Sequence, residues 1–194
     1  MIGFLRGQYA LKTPARVVID VNGVGYEVNI SLHTYSAIAN AESGQLFTYL
    51  HITENAQSLF GFADMAEKEL FLNLISVSGV GASTARMMLS GMHPEEIVKA
   101  IVQGNTKQLE GIKGIGKKSA ERLIVELRDK LAKGSETTIL PGFTAPAANI
   151  DAINALISLG IGKALAEQGV KKAISTLSSS ATVEEIIKYA LKNL

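Results

Sequence analysis

Two glycine triplets carry the most specific chemistry in this sequence. Residues 79–81 read Gly-Val-Gly, and residues 114–116, 35 positions on, read Gly-Ile-Gly. A short helical stretch precedes each, Leu74 to Ser78 and Leu109 to Lys113. Small residues follow, Ala82-Ser83-Thr84-Ala85 in one case and Lys117-Lys118-Ser119-Ala120 in the other. This is the pattern of a helix-hairpin-helix, repeated. Gly79 and Gly81, like Gly114 and Gly116, permit a tight reversal and close approach of another backbone. Val80 or Ile115 is expected to tuck between the two helices. The second helix of each pair then opens on free N–H groups, which make an anion site. A phosphate held there is recognised through backbone atoms, so no base preference is expected. Lys117 and Lys118 stand where such a phosphate would lie, and Arg122 follows one turn further along the same helix.

Other chemistries fit less well. The run Gly111-Ile-Lys-Gly-Ile-Gly116-Lys117 has the outline of a nucleotide-cradling loop. Position 118 is Lys, however, where that loop needs Ser or Thr for Mg²⁺, and the preceding Thr106 to Glu110 is polar and helical rather than a buried strand. Gly23-Val-Gly25 lacks the third glycine of a dinucleotide fingerprint. The chain has no cysteine, which excludes disulfides, thiolate metal sites and thiol nucleophiles. His33, His51 and His93 are far apart in sequence, so no metal site is expected. The carboxylates are dispersed, and no catalytic constellation or cofactor site emerges. A barrel that stacks single strands needs aromatics with basic residues between them. Phe4, Tyr9, Tyr26, Tyr35, Phe47, Tyr49, Phe60 and Phe62 have only Arg6, Lys12 and Arg16 for company, and most of these rings read as core.

The elements that position the triplets fall into three parts and a linker. Residues 1–62 read as about five short antiparallel strands. Residues 16–21 lead into the turn Asn22-Gly23, after which Tyr26, Val28 and Ile30 alternate with Glu27, Asn29 and Ser31. Residues 2–11, 45–52 and 58–62 complete the set, which suits a small closed barrel because closure removes exposed edges. Residues 63–133 read as helical throughout. Their stripes are Leu70, Phe71, Leu74, Ile75 and Val77; then Ile97, Val98, Ile101 and Val102, opened by Pro94 with Glu95 and Glu96; then Ala120, Leu123, Ile124, Leu127 and Leu131. Glu126 and Lys130 are spaced to pair on the outer face. Residues 134–149 hold Gly134, Pro141, Gly142 and Pro146 among small polar residues and read as a flexible linker. Residues 150–194 form a three-helix module with a very small core. Its last helix opens with a capping box, Thr182 and Glu185. Leu156, Leu159, Ile161, Ala164 and Leu165 read mostly as its core, with Leu159, Gly160 and Ile161 as a candidate docking face for a partner.

A length of 194 residues allows one or two domains, or three small ones. Apolar residues are 47 % and charged residues 19 %, with a formal net charge of +1. That excludes a polycationic tail but not nucleic-acid binding, because charge can be sorted within the chain. Residues 1–62 carry net −1, residues 63–133 net +2, the linker net −1 and residues 150–194 net +1. No signal pattern opens the chain, and no apolar run approaches the roughly 20 residues of a membrane helix. A reducing cytoplasm is the expected compartment, with no membrane partner.

Several longer runs carry a resemblance. They are Met1-Ile-Gly-Phe-Leu-Arg-Gly7, Val21-Asn-Gly-Val-Gly-Tyr-Glu-Val28, Ala56-Gln-Ser-Leu-Phe-Gly-Phe62, Gly79-Val-Gly81, Leu89-Ser-Gly-Met92 and, most specific, Gly114-Ile-Gly-Lys-Lys-Ser-Ala-Glu-Arg-Leu-Ile-Val-Glu126. Together they resemble the RuvA family of Holliday-junction-binding subunits over essentially the whole chain. The resemblance implies an α+β multidomain chain: an N-terminal OB-fold β-barrel, a middle all-α tandem helix-hairpin-helix domain and a C-terminal three-helix module. It implies a non-catalytic homotetramer that holds four-way junction DNA open in recombination and repair. It also implies a hexameric ATPase partner, RuvB, docked on the C-terminal module, and the resolvase RuvC as a further associate. Gly79, Gly81, Ser83, Thr84, Gly114, Gly116, Lys117, Lys118 and Arg122 would hold duplex arms by their phosphates. The family also carries an acidic pin on the barrel, usually two adjacent carboxylates. Here the matching positions are Glu54 and Asn55, which implies a weaker pin. Family members often place a Lys after the first glycines; here Ala82, Ser83 and Thr84 follow, and Arg86 is the candidate replacement cation.

Overall fold

The computed structural model describes residues 1–135, 147–177 and 181–193. The chain divides into two compact units, Met1–Thr137 and Thr138–Leu194. The first opens with five strands, β1 (Phe4–Thr13), β2 (Arg16–Val21), β3 (Val24–Ile30), β4 (Ser43–Thr53) and β5 (Ala56–Phe62), with a short helix α1 (Leu32–Ile38) between β3 and β4. The strands close into a barrel in the order β1-β2-β3-β5-β4. Asn22 and Gly23 turn β2 into β3 with φ of 52° and 85°, the paired positive values that match a two-residue loop to the twist of its strands. The Gly23 N–H donates to Asp20 Oδ1 at 2.7 Å. Leu5, Val17, Ile19, Val28, Ile30, Ile38 and Leu46 fill the barrel.

Two features depart from the sequence reading. The strands are not all antiparallel: β3 and β5 run parallel, with Val28 opposite Leu59. The cause is α1, which carries the chain across the barrel so that β4 pairs with β1 and β5 returns beside β3. At seven residues α1 is too short to show a period. It is held at both ends instead. The Ser31 hydroxyl accepts the Thr34 N–H at 3.0 Å, and Lys12 Nζ donates to the carbonyls of Ala39 and Ala41 at 2.8 and 2.6 Å. Most ring positions are buried or half-buried, but Phe4 is 55 % exposed on the outer wall.

Five helices follow in the same unit: α2 (Met65–Ser76), α3 (Ala82–Gly91), α4 (Pro94–Val102), α5 (Thr106–Glu110) and α6 (Lys117–Ser135). The expected stripes meet in one core, which also takes in Phe60 and Phe62 of β5. The rings of Phe60 and Phe62 lie 5.2 and 4.9 Å from that of Phe71, centroid to centroid. The barrel wall and the helices therefore share an aromatic contact.

A polar bolt reinforces that contact. Glu67, in the first turn of α2, is fully buried. Its carboxylate accepts the Ser31 hydroxyl, the Thr34 hydroxyl at 2.6 Å and the Ala63 N–H at 3.3 Å. The N-terminal end of α2 favours the negative charge. Glu67→Ala is expected to destabilise the folded unit by about 3 kcal/mol, because two buried hydroxyls lose a charged acceptor. Chemical denaturation measures this, and an unchanged midpoint would contradict it.

The second unit carries α7 (Ala147–Ser158), α8 (Lys163–Thr176) and α9 (Val183–Asn193). Its core is Ala152, Leu156, Ala166, Val170, Ala173, Ile186 and Ala190. Thr182 and Glu185 form the expected capping box: the Thr182 N–H donates to Glu185 Oε2 at 2.8 Å, and the Glu185 N–H donates to Thr182 Oγ1 at 3.3 Å. Those bonds from Thr182, backbone first and then hydroxyl, hold the Glu185 carboxyl below its usual range. Of the segment read as linker, residues 136–146 lie outside the described residues. Residues 134–135 continue α6 and 147–149 open α7, where Ala147 and Ala148 are good helix formers.

Candidate nucleic-acid interface

The two triplets fold into the same turn. Gly79 and Gly114 have φ of 91° and 93°, the left-handed conformation that side chains resist. The Val80 N–H donates to the Val77 carbonyl and the Ile115 N–H to the Ile112 carbonyl, each at 3.0 Å. Val80 and Ile115 are buried. Then Ala85 N–H bonds Gly81 O at 2.9 Å and Ala120 N–H bonds Gly116 O at 3.0 Å, closing the first turns of α3 and α6. Every pairing recurs 35 residues on.

The second glycine of each triplet is different in kind. Gly81 has an ordinary φ of −84°, and a Cβ added at Gly81 or at Gly116 meets nothing within 4 Å. Neither the conformation nor the packing of the chain requires glycine there. What the missing side chain leaves is open access to the N–H groups at the head of each helix. No side chain caps the head of α3.

Around these heads the side chains are free. Lys117 and Lys118 are exposed, and neither has a hydrogen bond or ion pair. The same holds for Lys113, one residue before Gly114, which the sequence reading did not single out. The Ser83 and Thr84 hydroxyls are also unengaged. A cleft of about 350 Å³ joins the hairpins, lined by Ser78 and Gly79 from one and Lys118, Ser119, Glu121 and Arg122 from the other.

Both arginines near the hairpins are occupied. Arg86 does not replace the missing lysine of the first hairpin: its Nη1 turns to the barrel and donates to Asn29 Oδ1 at 3.0 Å and Ala15 O at 3.2 Å. Arg122 Nη1 donates to Ser78 O at 3.0 Å, and its Nε lies 3.7 Å from Glu126 Oε1. Glu126 thus pairs backward with Arg122 rather than forward with Lys130.

Glu54 and Asn55 form the exposed tip between β4 and β5, beyond the last register pair Thr53 and Ala56. In the second unit the three candidate docking residues separate. Leu159 is 64 % exposed. Gly160 has φ of 91° and ends α7: its N–H bonds Ile157 O at 2.9 Å, while Ile161 N–H bonds Leu156 O at 3.1 Å. This is a Schellman cap, and Ile161 is half-buried because the motif folds it back onto the core. Leu165 and Ala164, expected in the core, are exposed instead, as is Ile157. The head of α8 turns them outward, and small alanines fill the space behind. Among the described residues no three His, Asp or Glu side chains cluster to hold a metal, and no helix is long and apolar enough to cross a membrane.

A closed five-stranded barrel bearing a tandem helix-hairpin-helix, with open helix heads flanked by unpaired lysines, defines a class of nucleic-acid-binding protein. The comparisons narrow the class. The RuvA N-terminal domain family matches residues 1–61, a SAM-like helix-hairpin-helix tandem matches 71–129, and the RuvA C-terminal domain family matches 147–194. The chain is 46 % identical over 194 residues to the Holliday junction branch migration complex subunit RuvA of Flavobacterium psychrophilum, covering 100 % of both chains. It is 43 % identical to that of Cytophaga hutchinsonii, covering 99 % of each, and 47 % identical to that of Bacteroides fragilis, covering 100 % of each. The chain belongs to the RuvA family, and its barrel is an OB-fold.

Proposed function

We propose that this chain is a non-catalytic subunit of a branch-migration complex that holds a four-way DNA junction open and recruits the RuvB ATPase. The observation that carries this is the pair of matching hairpins, whose second glycines leave helix heads uncovered for a reason external to the fold. Gly79, Gly81, Ser83 and Thr84 would engage one stretch of backbone phosphates. Gly114, Gly116, Lys117 and Lys118 would engage another. The basic excess of residues 63–133 suits contact with the arms, and the slight acidity of residues 1–62 suits the crossover. As a homotetramer the chain would bring four Glu54 side chains toward that crossover. The motor would dock on the apolar surface of the second unit, where Leu159 is joined by Ile157 and Leu165.

Binding to a synthetic four-way junction, plain duplex and single strand at one salt concentration tests the reading. The junction is expected to bind tightest, and equal affinities would overturn the proposal. A chain ended after Thr137 keeps the whole first unit. It is expected to retain junction binding and to lose stimulation of the motor.

The pin gives a further expectation. Asn55→Asp adds a second carboxylate beside Glu54, and like charge repels the junction's phosphates. Junction affinity is expected to fall about two- to fivefold at low salt, the effect of up to about 1 kcal/mol. The difference narrows as salt screens it, and motor-driven branch migration speeds up. Unchanged affinity and rate would remove Asn55 from the mechanism.

A further inference from the structure

We infer that Arg122 is a positioning residue that braces the first hairpin from the second, rather than a phosphate ligand itself. The inference rests on the reading of the hairpins as phosphate sites and concerns what aligns them.

The first hairpin has no cation of its own. Ala82, Ser83 and Thr84 follow its glycines, and Arg86 is turned to the barrel. Its hold on phosphate therefore depends on N–H groups and hydroxyls, whose use depends on where the loop sits. Arg122 fixes that loop. From α6 its Nη1 reaches the carbonyl of Ser78, the residue before Gly79, at 3.0 Å. Glu126, 3.7 Å from Nε, orients the guanidinium from one turn further along. The planar fork of an arginine meets both at once, which a lysine cannot do.

The brace has a counterpart. The position 35 residues before Arg122 is Met87. Its Sδ lies 3.9 Å from where a Cβ on Gly114 would stand. Corresponding positions of the two repeats thus face each other's hairpin, Arg122 through a charged hydrogen bond and Met87 as an apolar side chain beside Gly114. The Arg122 bond, with Met87 beside the other turn, sets the spacing between the two phosphate sites, so that one duplex arm can meet both.

Two measurements on the full chain test this, with Lys118→Gln as the comparison. The first is hydrogen–deuterium exchange without DNA. Arg122→Gln is expected to speed exchange across residues 77–84 and to leave 113–119 unchanged. Met87→Ala is expected to do the reverse, and Lys118→Gln to change neither. The second is junction binding across a salt series. Arg122→Gln is expected to weaken binding about fivefold, the effect of losing one hydrogen bond of ordinary strength at an exposed site, with the slope of log K against log salt unchanged. Lys118→Gln is expected to flatten that slope by about 0.9 for each contact removed. Arg122→Lys retains the charge and is expected to leave exchange at 77–84 fast. A slope that flattens in Arg122→Gln while exchange stays at the wild-type rate makes Arg122 a phosphate ligand and overturns the inference, as does unchanged exchange with unchanged affinity. If wild type shows no junction preference, the proposed function fails, and the exchange arm still decides the brace.

Discussion

Replacing Lys117 and Lys118 together with Gln is expected to weaken junction binding, for each chain bound, about 60-fold at about 0.1 M salt and only about ninefold at about 0.3 M. The figures follow from counterion release. Each phosphate neutralised contributes about 0.9 to the slope of log K against log salt, so two lost contacts per bound chain remove about 1.8. The structure gives reason to assign both lysines this role. They occupy the first turn of α6, directly after Gly116, and neither is committed to a carboxylate or a carbonyl of the chain. Their removal therefore leaves no buried partner unsatisfied, and the thermal midpoint is expected to stay within about 1 °C of wild type, since surface substitutions of this kind are close to neutral. The neutral hydroxyl pair in the first turn of α3 offers a contrast. Ser83→Ala with Thr84→Ala removes hydroxyls and no charge, so affinity is expected to fall without a change of slope. Fluorescence anisotropy over a salt series reads both. If the lysine pair leaves the slope intact, the phosphates do not lie at this helix head.

The features legible in the sequence are those fixed by near neighbours. Asn22-Gly23 dictates its turn because the two residues alone supply the required φ. The stripes of α2, α4 and α6 show because two or more turns repeat them. The hairpins show because five consecutive residues set each one, and the fold repeats them bond for bond. Lys117 and Lys118 were readable because nothing else in the chain competes for them. Where a residue's role depends on a distant partner, the sequence was silent. Arg86 and Arg122 look like any cations on helical faces. Only the fold brings Asn29 within 3.0 Å of one and Ser78 within 3.0 Å of the other. Glu67 sits among ordinary first-turn acids until α1 is seen above it, and α1 itself is too short for a periodic signal. The parallel pairing of β3 and β5 follows from that same helix. In the second unit, Leu165 leaves its expected place in the core, while a Schellman cap turns Ile161, one of the candidate docking residues, inward. The four alanines in the core leave no room for more large side chains behind it.

The glycines offer the sharper test, because the two in each hairpin are glycine for different reasons. Gly79 and Gly114 have φ near 90°, so a valine at either position strains the backbone by roughly 1–2 kcal/mol and the loss appears in stability. Gly81 and Gly116 carry no such demand: a Cβ at either meets nothing within 4 Å. Gly81→Val with Gly116→Val is therefore expected to cost no more than about 1 kcal/mol per site in folding, the usual penalty for a poor residue at a helix cap. The expected effect on DNA is far larger. A branched side chain at each position stands over the N–H groups at the helix head and holds a phosphate beyond hydrogen-bonding distance. Losing one charge-assisted bond at each of two sites, at about 1.5–3 kcal/mol apiece, weakens binding by at least about 100-fold. Gly79→Val with Gly114→Val should show the opposite balance, with a lower denaturation midpoint and a smaller loss of affinity once the protein is kept folded. Denaturation and junction binding measured on both double variants separate the two roles. If Gly81→Val with Gly116→Val binds as wild type does, nothing approaches the backbone at these helix heads, and the open space beside them has no part in holding DNA.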